Sequence, residues 1–175
     1  MKRAFAVLHV AAAVAILVCS IPAWADFRGE VVRVLDGDTI DVLIDRKTVR
    51  VRLADIDAPE RGQAFGSRAR QRLADLTFRQ HVEVIEQDTD RYGRILGVVF
   101  VAVRYPDNPA PQQANVNALM VREGLAWAYR YRGQPTSPQM FELEQQARRQ
   151  KIGLWSDPTA QEPWKWRRAT KPAIN

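Results

Sequence analysis

Thr39-Ile40-Asp41-Val42-Leu43-Ile44 and Thr48-Val49-Arg50-Val51-Arg52-Leu53-Ala54, turning at Asp45-Arg46-Lys47, decide the fold of this chain. In the second run Val49, Val51 and Leu53 alternate with Arg50 and Arg52, the period of a half-buried strand. The two runs therefore read as an antiparallel hairpin, with residue numbers across the ladder summing to roughly 92. At its open end lie two acidic segments, Asp36-Gly37-Asp38 before it and Asp55-Ile56-Asp57-Ala58-Pro59-Glu60 after it. That register places Asp38 opposite about Ala54, a few residues from Asp57 and Glu60. Carboxylates crowded at one hairpin end repel one another unless a cation sits among them.

Outward from the hairpin, Phe27 to Leu35 reads as a preceding strand and Ser67 to Arg79 as a helix with Ala69, Leu73 and Leu76 towards the core. His81 to Glu86 and Arg94 to Val103 read as two further strands. Tyr105 to Gln113 carries Pro106, Pro109 and Pro111 and reads as a surface excursion. Val116 to Glu123 is a short helix stopped by Gly124, and Pro138 to Lys151 a polar helix capped by Ser137. Three strands, a helix, two strands and two helices is the layout of an α+β protein: an OB-fold five-stranded β-barrel with three helices. No internal repeat is visible. From Asp157 onward proline and charge dominate, and residues 157–175 are expected to form a loosely packed tail, whose Pro163-Trp164-Lys165-Trp166-Arg167-Arg168 stretch could contact nucleic acid by stacking and charge or simply pack on the barrel.

Residues 1–25 have the pattern of an export signal. Met1-Lys2-Arg3 is basic, Ala4 to Ile21 is apolar, and Ala23-Trp24-Ala25 is a small-x-small cleavage pattern. Cleavage after Ala25 would leave residues 26–175 as a periplasmic or secreted protein; the alternatives are an uncleaved membrane anchor and a lipoprotein attached at Cys19, for which Leu17-Val18 is a poor preceding match. The lone cysteine, Cys19, falls in the leader, so the mature domain has no disulfide or thiol chemistry. The full chain carries 26 basic and 20 acidic residues, net +6. Without Lys2 and Arg3 the mature part has 24 and 20, net +4, which is compatible with a polyanionic partner.

Asp38 and Asp57 suit a hard, oxygen-seeking cation; with one histidine and no cysteine in the mature chain, calcium fits better than zinc. Asp-Gly-Asp-Thr is also a good turn in its own right. Glu60, pinned behind Pro59, is placed either to act on a water beside a metal or to sit as a surface acid. Arg52 and Arg94 offer planar, permanently charged donors of the kind a phosphoryl transition state needs. Trp127-Ala128-Tyr129-Arg130-Tyr131-Arg132 interleaves aromatic and basic residues. Tyr129 and Tyr131 there suit either base stacking or packing, and Trp127 and Trp155 suit the core. His81, at a strand start, reads as structural.

Asp36-Gly37-Asp38-Thr39, Val51 to Glu60 and Asp90-Arg91-Tyr92-Gly93-Arg94 together resemble the staphylococcal nuclease (thermonuclease) family. Asn115 to Ala126 and Gly153-Leu154-Trp155-Ser156 continue the likeness, which covers about Phe27 to Ser156, so that 26–156 would be the nuclease domain. The resemblance implies an OB-barrel nuclease that uses Ca2+ to hydrolyse DNA and RNA at the 5′ P–O bond, leaving 3′-phosphate ends. By motif position it implies Asp38 and Asp57 as side-chain calcium ligands, with the Ala58 carbonyl as a backbone ligand. It implies Glu60 acting on the attacking water, Arg52 and Arg94 stabilising the transition state, and Tyr92, Tyr129 and Tyr131 contacting nucleotide. A monomer is expected. Ala58 stands where the type member has Thr, the loop after Glu60 is shorter, and the 105–113 segment is an insertion. The competing expectation is a non-catalytic OB module binding single strands or a protein; such a module would be expected to lose some of Arg52, Glu60 and Arg94.

Overall fold

The computed structural model describes residues 26–105 and 108–170. The expected leader over 1–25, with Cys19, lies outside the described residues, as do positions 171–175 at the end of the tail.

Strands β1 (Phe27–Val34), β2 (Thr39–Ile44) and β3 (Lys47–Leu53) form the meander expected from the alternation of their side chains. A two-residue strand β4 (Ile56–Asp57) follows, then helix α1 (Gly66–Thr77), β5 (His81–Thr89) and β6 (Ile95–Tyr105). The sheet runs β3-β2-β1-β5-β6, and β6 pairs back onto β3 in parallel, so five strands close on themselves as a barrel. Val31, Ile40, Val42, Val51, Leu53, Val84 and Val99 fill it and have no solvent exposure. Each such side chain contributes about 1.5–3 kcal/mol relative to an exposed one.

The hairpin differs by one residue from the sequence expectation. Its turn has two central residues, Asp45 (φ 44°) and Arg46 (φ 70°), both left-handed, and Lys47 already belongs to the ladder opposite Ile44 instead of to the turn. Thr39 therefore pairs with Arg52, and Asp38 faces Leu53, whose N–H donates to the Asp38 carbonyl at 2.8 Å.

The proline-bearing segment after Tyr105 is also corrected. Asn108–Asn115 forms strand β7, antiparallel to β6 from Phe100↔Asn115 to Tyr105↔Asn108. Pro109 and Pro111 lack an N–H, and β7 is the outer strand of the sheet, where a missing donor breaks no ladder.

Helix α2 (Val116–Arg122) is capped by Asn115, whose side chain accepts from the Ala118 N–H. Next to the cap, fully buried Asn117 accepts from the Val99 N–H (3.0 Å) and donates to the carbonyls of Ala54 (2.9 Å) and Gly97 (3.1 Å). One side chain thus fixes the point where the chain leaves β3 for its second acidic segment.

Short strands β8 (Trp127–Ala128), β9 (Arg130–Tyr131) and β10 (Gln134–Pro135) precede helix α3 (Pro138–Arg149), capped by Ser137. Strand β8 pairs with β4, setting Asp57 opposite Trp127. From α3, the buried carboxylate of Glu144 accepts from the Ala128 N–H (2.8 Å), from Arg130 (2.8 and 3.0 Å) and from Arg148 (2.8 Å). A buried charge with that many donors is satisfied, and it anchors the β4–β8 ribbon. Trp127 and Trp155 pack edge to face with centroids 5.2 Å apart, in line with their reading as packing residues. A 3-10 turn (Gly153–Ser156) and a fourth helix, α4 (Pro163–Thr170), complete the described chain. Proline and charge pointed to a loose tail there; eight residues instead form a helix docked over the open end of the barrel.

Candidate active site

The two acidic segments meet because Gly37 has no side chain. A Cβ there would lie 2.7 Å from the Cβ atoms of both Ala58 and Ala69. With that space closed, Asp38 is held on all sides. Its Oδ2 accepts from the Ala58 N–H (3.0 Å), and its Oδ1 from the Thr39 hydroxyl (2.9 Å). Arg52 Nη2 then donates to both Asp38 Oδ2 (3.2 Å) and Asp57 Oδ1 (2.9 Å). Two carboxylates separated by 19 positions in the chain converge on one guanidinium nitrogen. Burial disfavours the charge on Arg52, but Asp38 and Asp57 more than compensate and raise its proton affinity. Asp36, behind them, is pushed up to about 6 by burial and then by the charge on Asp38.

Above this layer opens a cleft of about 1080 Å³. Asp38, Arg52, Ala58, Glu60, Tyr92, Arg94 and Tyr129 all line it. Asp57 lies at its floor, with no exposed surface. Glu60 is fixed through its backbone: its N–H donates to Gln63 Oε1 (3.0 Å) and its carbonyl accepts from the Gln63 N–H (3.0 Å). Arg94 is held by Asp90, which accepts from the Arg94 N–H and from its Nε (2.8 Å). Burial raises the Asp90 carboxyl, and hydrogen bonds from Arg94 and the Tyr92 N–H outweigh it, leaving Asp90 below the usual carboxylate range. Tyr92 is 70% exposed, with the guanidiniums of Arg91 and Arg94 5.0 and 5.7 Å from its ring centroid. Tyr129 takes Arg52 against its ring, 5.9 Å from the centroid.

Tyr131 is not brought to the cleft. It lies on the β9–β10 ribbon, 59% exposed, with Arg132 over its ring. His81 is exposed at the first position of β5, where it pairs with Glu30.

The floor offers oxygen donors alone: two carboxylates within reach of one point, with the Ala58 backbone beside them. That donor set suits a hard cation that keeps solvent or substrate oxygens in its remaining positions. Among the described residues no group of three or more His, Cys, Asp or Glu side chains is arranged to hold a metal.

Residues 50–157 match the family model described as staphylococcal nuclease homologue. The chain belongs to that family. It is 69% identical, over the whole length of both chains, to the micrococcal nuclease of Shigella flexneri. It is 62% identical to protein ParB of Escherichia coli, over 95% of this chain and 94% of that one. An uncharacterized endonuclease of Escherichia coli is 47% identical over 82% of this chain and 86% of its own. As a member of the staphylococcal nuclease family, this chain is a nuclease.

Three residues of α4 also reach the cleft of this nuclease, Trp164, Arg167 and Arg168; their stretch stands out in the sequence for its tryptophans and arginines, but not for any place in the fold. Glu162-Pro163 is a fair helix start, since proline is well placed in a first turn. Nothing local says where such a helix docks.

Proposed function

We propose that this nuclease is an exported, calcium-dependent hydrolase of DNA and RNA, cutting the 5′ P–O bond to leave 3′-phosphate ends. The observation that carries the reading is the convergence of Asp38 and Asp57 on Arg52 at the floor of a cleft that also receives Glu60 and Arg94. In this reading Asp38, Asp57 and the Ala58 carbonyl would hold calcium, which when bound would supply positive charge beside the phosphate. Glu60 takes a proton from a water positioned to attack phosphorus. The bond from phosphorus to the 5′ oxygen breaks opposite the incoming water, and the 5′ oxygen leaves and is protonated. Arg52 and Arg94 donate planar hydrogen bonds to the phosphate oxygens as charge accumulates on them. Tyr92 and Tyr129, at the cleft wall, offer ring faces to bases. Tyr131 would reach nucleotide only beyond the cleft. The leader pattern over 1–25 supports export to the periplasm or the medium, and the protein is read as acting as a monomer.

The presence of Arg52, Glu60 and Arg94 together weighs against a non-catalytic OB module. The test is digestion of single- and double-stranded DNA and of RNA by the mature protein, with calcium and with chelator, beside Glu60→Gln. Calcium-dependent cutting is expected, reduced on the order of 10²-fold or more in the variant. Intact DNA at millimolar-order calcium would favour the binding module instead.

A further inference from the structure

Helix α4 lies beyond residues 50–157, the part of the chain that matches the family model, yet it enters the cleft and ties itself to Glu60 twice. The first tie is Arg167. Its Nη1 donates to Glu60 Oε1 (2.5 Å) and to Asp57 Oδ1 (3.1 Å), and its Nη2 to Asp57 Oδ2 (2.7 Å). The second is Gln63, buried between the two segments. Its Oε1 accepts from the Glu60 N–H, while its Nε2 donates to the carbonyl of Gln161, just ahead of α4.

We propose that Arg167 is a positioning residue for Glu60, and that α4 is a working part of the catalytic cleft. This rests on the nuclease reading of the same site. The carboxylate of Asp57 is immobile, being buried and also bonded to Arg52. The Glu60 side chain is 34% exposed and has no such packing. A rigid planar guanidinium bonded to both fixes the mobile carboxylate relative to the fixed one. Without Arg167, Glu60 keeps its place in the chain and loses the orientation of its carboxylate. A general base displaced by about 1 Å loses on the order of 10²-fold in rate.

The experiment is steady-state cleavage of DNA at saturating calcium by wild type, Arg167→Gln, Arg167→Lys, Glu60→Gln and the double variant Arg167→Gln/Glu60→Gln. Lys165→Gln serves as a control on the exposed side of α4, and thermal melts check folding. Arg167→Gln is expected to lower kcat on the order of 10²-fold while KM stays within about threefold. Lysine can reach one carboxylate but not bridge two, so Arg167→Lys should fall between. Because Arg167 acts through Glu60, adding Arg167→Gln to Glu60→Gln should cost less than about threefold more. A calcium titration followed by tryptophan fluorescence supplies a readout apart from turnover: with the guanidinium removed from Asp57, Arg167→Gln is expected to bind calcium at least as tightly as wild type, so that its lower kcat is not a loss of metal. Active wild type with an equally active Arg167→Gln overturns the proposal and leaves the nuclease reading standing. So do additive losses in the double variant, or tighter calcium binding with raised activity, which would make Arg167 a plug. Wild type that cuts nothing overturns both.

Discussion

The Asp38 carboxylate accepts from the backbone N–H of Ala58, 20 residues later and 3.0 Å away, joining the two acidic segments before any metal is considered. Asp38 therefore has a structural and a chemical duty that can be separated. Asp38→Ala leaves a buried N–H unpaired and should cost about 1–3 kcal/mol in urea unfolding. Asp38→Asn keeps an acceptor and should cost less. Neither variant should show the calcium-induced rise in melting temperature expected of wild type.

Gly66 controls the placement of Glu60. A Cβ at Gly66 would lie 2.2 Å from the Glu60 carbonyl oxygen, so Gly66→Ala must push the Glu60 backbone aside. We expect a stability loss of about 1–3 kcal/mol by thermal or urea melts. The kcat should fall as well, about 10-fold or more at a temperature where the variant is folded.

Arg94→Lys should fold, because Arg94 sits at the edge of the barrel on Asp90 and buries no large apolar group. Lysine cannot offer a planar fork to phosphate, so kcat/KM should drop on the order of 10²-fold. Cleavage near the wild-type rate would remove Arg94 from the mechanism.

Asp41 is buried in the barrel wall and bonded to Arg33 Nε (2.8 Å) and Arg50 Nε (2.8 Å). Burial raises its carboxyl, and the two arginines outweigh burial and hold it below its ordinary value. A lowered folded-state pKa stabilises above the unfolded value, about 3.9, and that contribution is lost as pH falls through the folded one. Asp41→Asn should thus cost about 1–3 kcal/mol at pH 7. The gap to wild type should close in urea melts below about pH 4, where aspartate protonates.

Arg46, at φ 70° in the β2–β3 turn, holds a conformation that glycine adopts without strain. Arg46→Gly should raise stability by about 0.5–1 kcal/mol, the gain from relieved strain exceeding the entropy glycine adds to the unfolded chain. Denaturant unfolding measures this directly, and no change in cleavage is expected, since Arg46 lies at the opposite end of the hairpin from the cleft.

The sequence by itself determined the five-strand barrel, the hairpin with acids at its mouth, and the place of Arg52 on the polar face of the strand leading into them. Alternation and turn chemistry act between neighbours, so Val51 in and Arg52 out can be read from a few residues. It also marked Trp127 as core, and Tyr92 and Tyr129 as candidates that do meet in one cleft. Tertiary structure alone decided the rest. Whether the hairpin turned on two residues or three depended on backbone angles at Asp45 and Arg46, which neither side chain announces. Whether a proline segment could be a strand depended on β7 being outermost, and whether Tyr131 reached the cleft depended on the short β9–β10 ribbon. The contacts of Arg167 with Glu60 and Asp57 span 107 and 110 positions. Such a pairing has no period and no spacing, because docking a helix buries whatever faces the site it covers. It exists only when the barrel's open end and α4 are brought together in three dimensions.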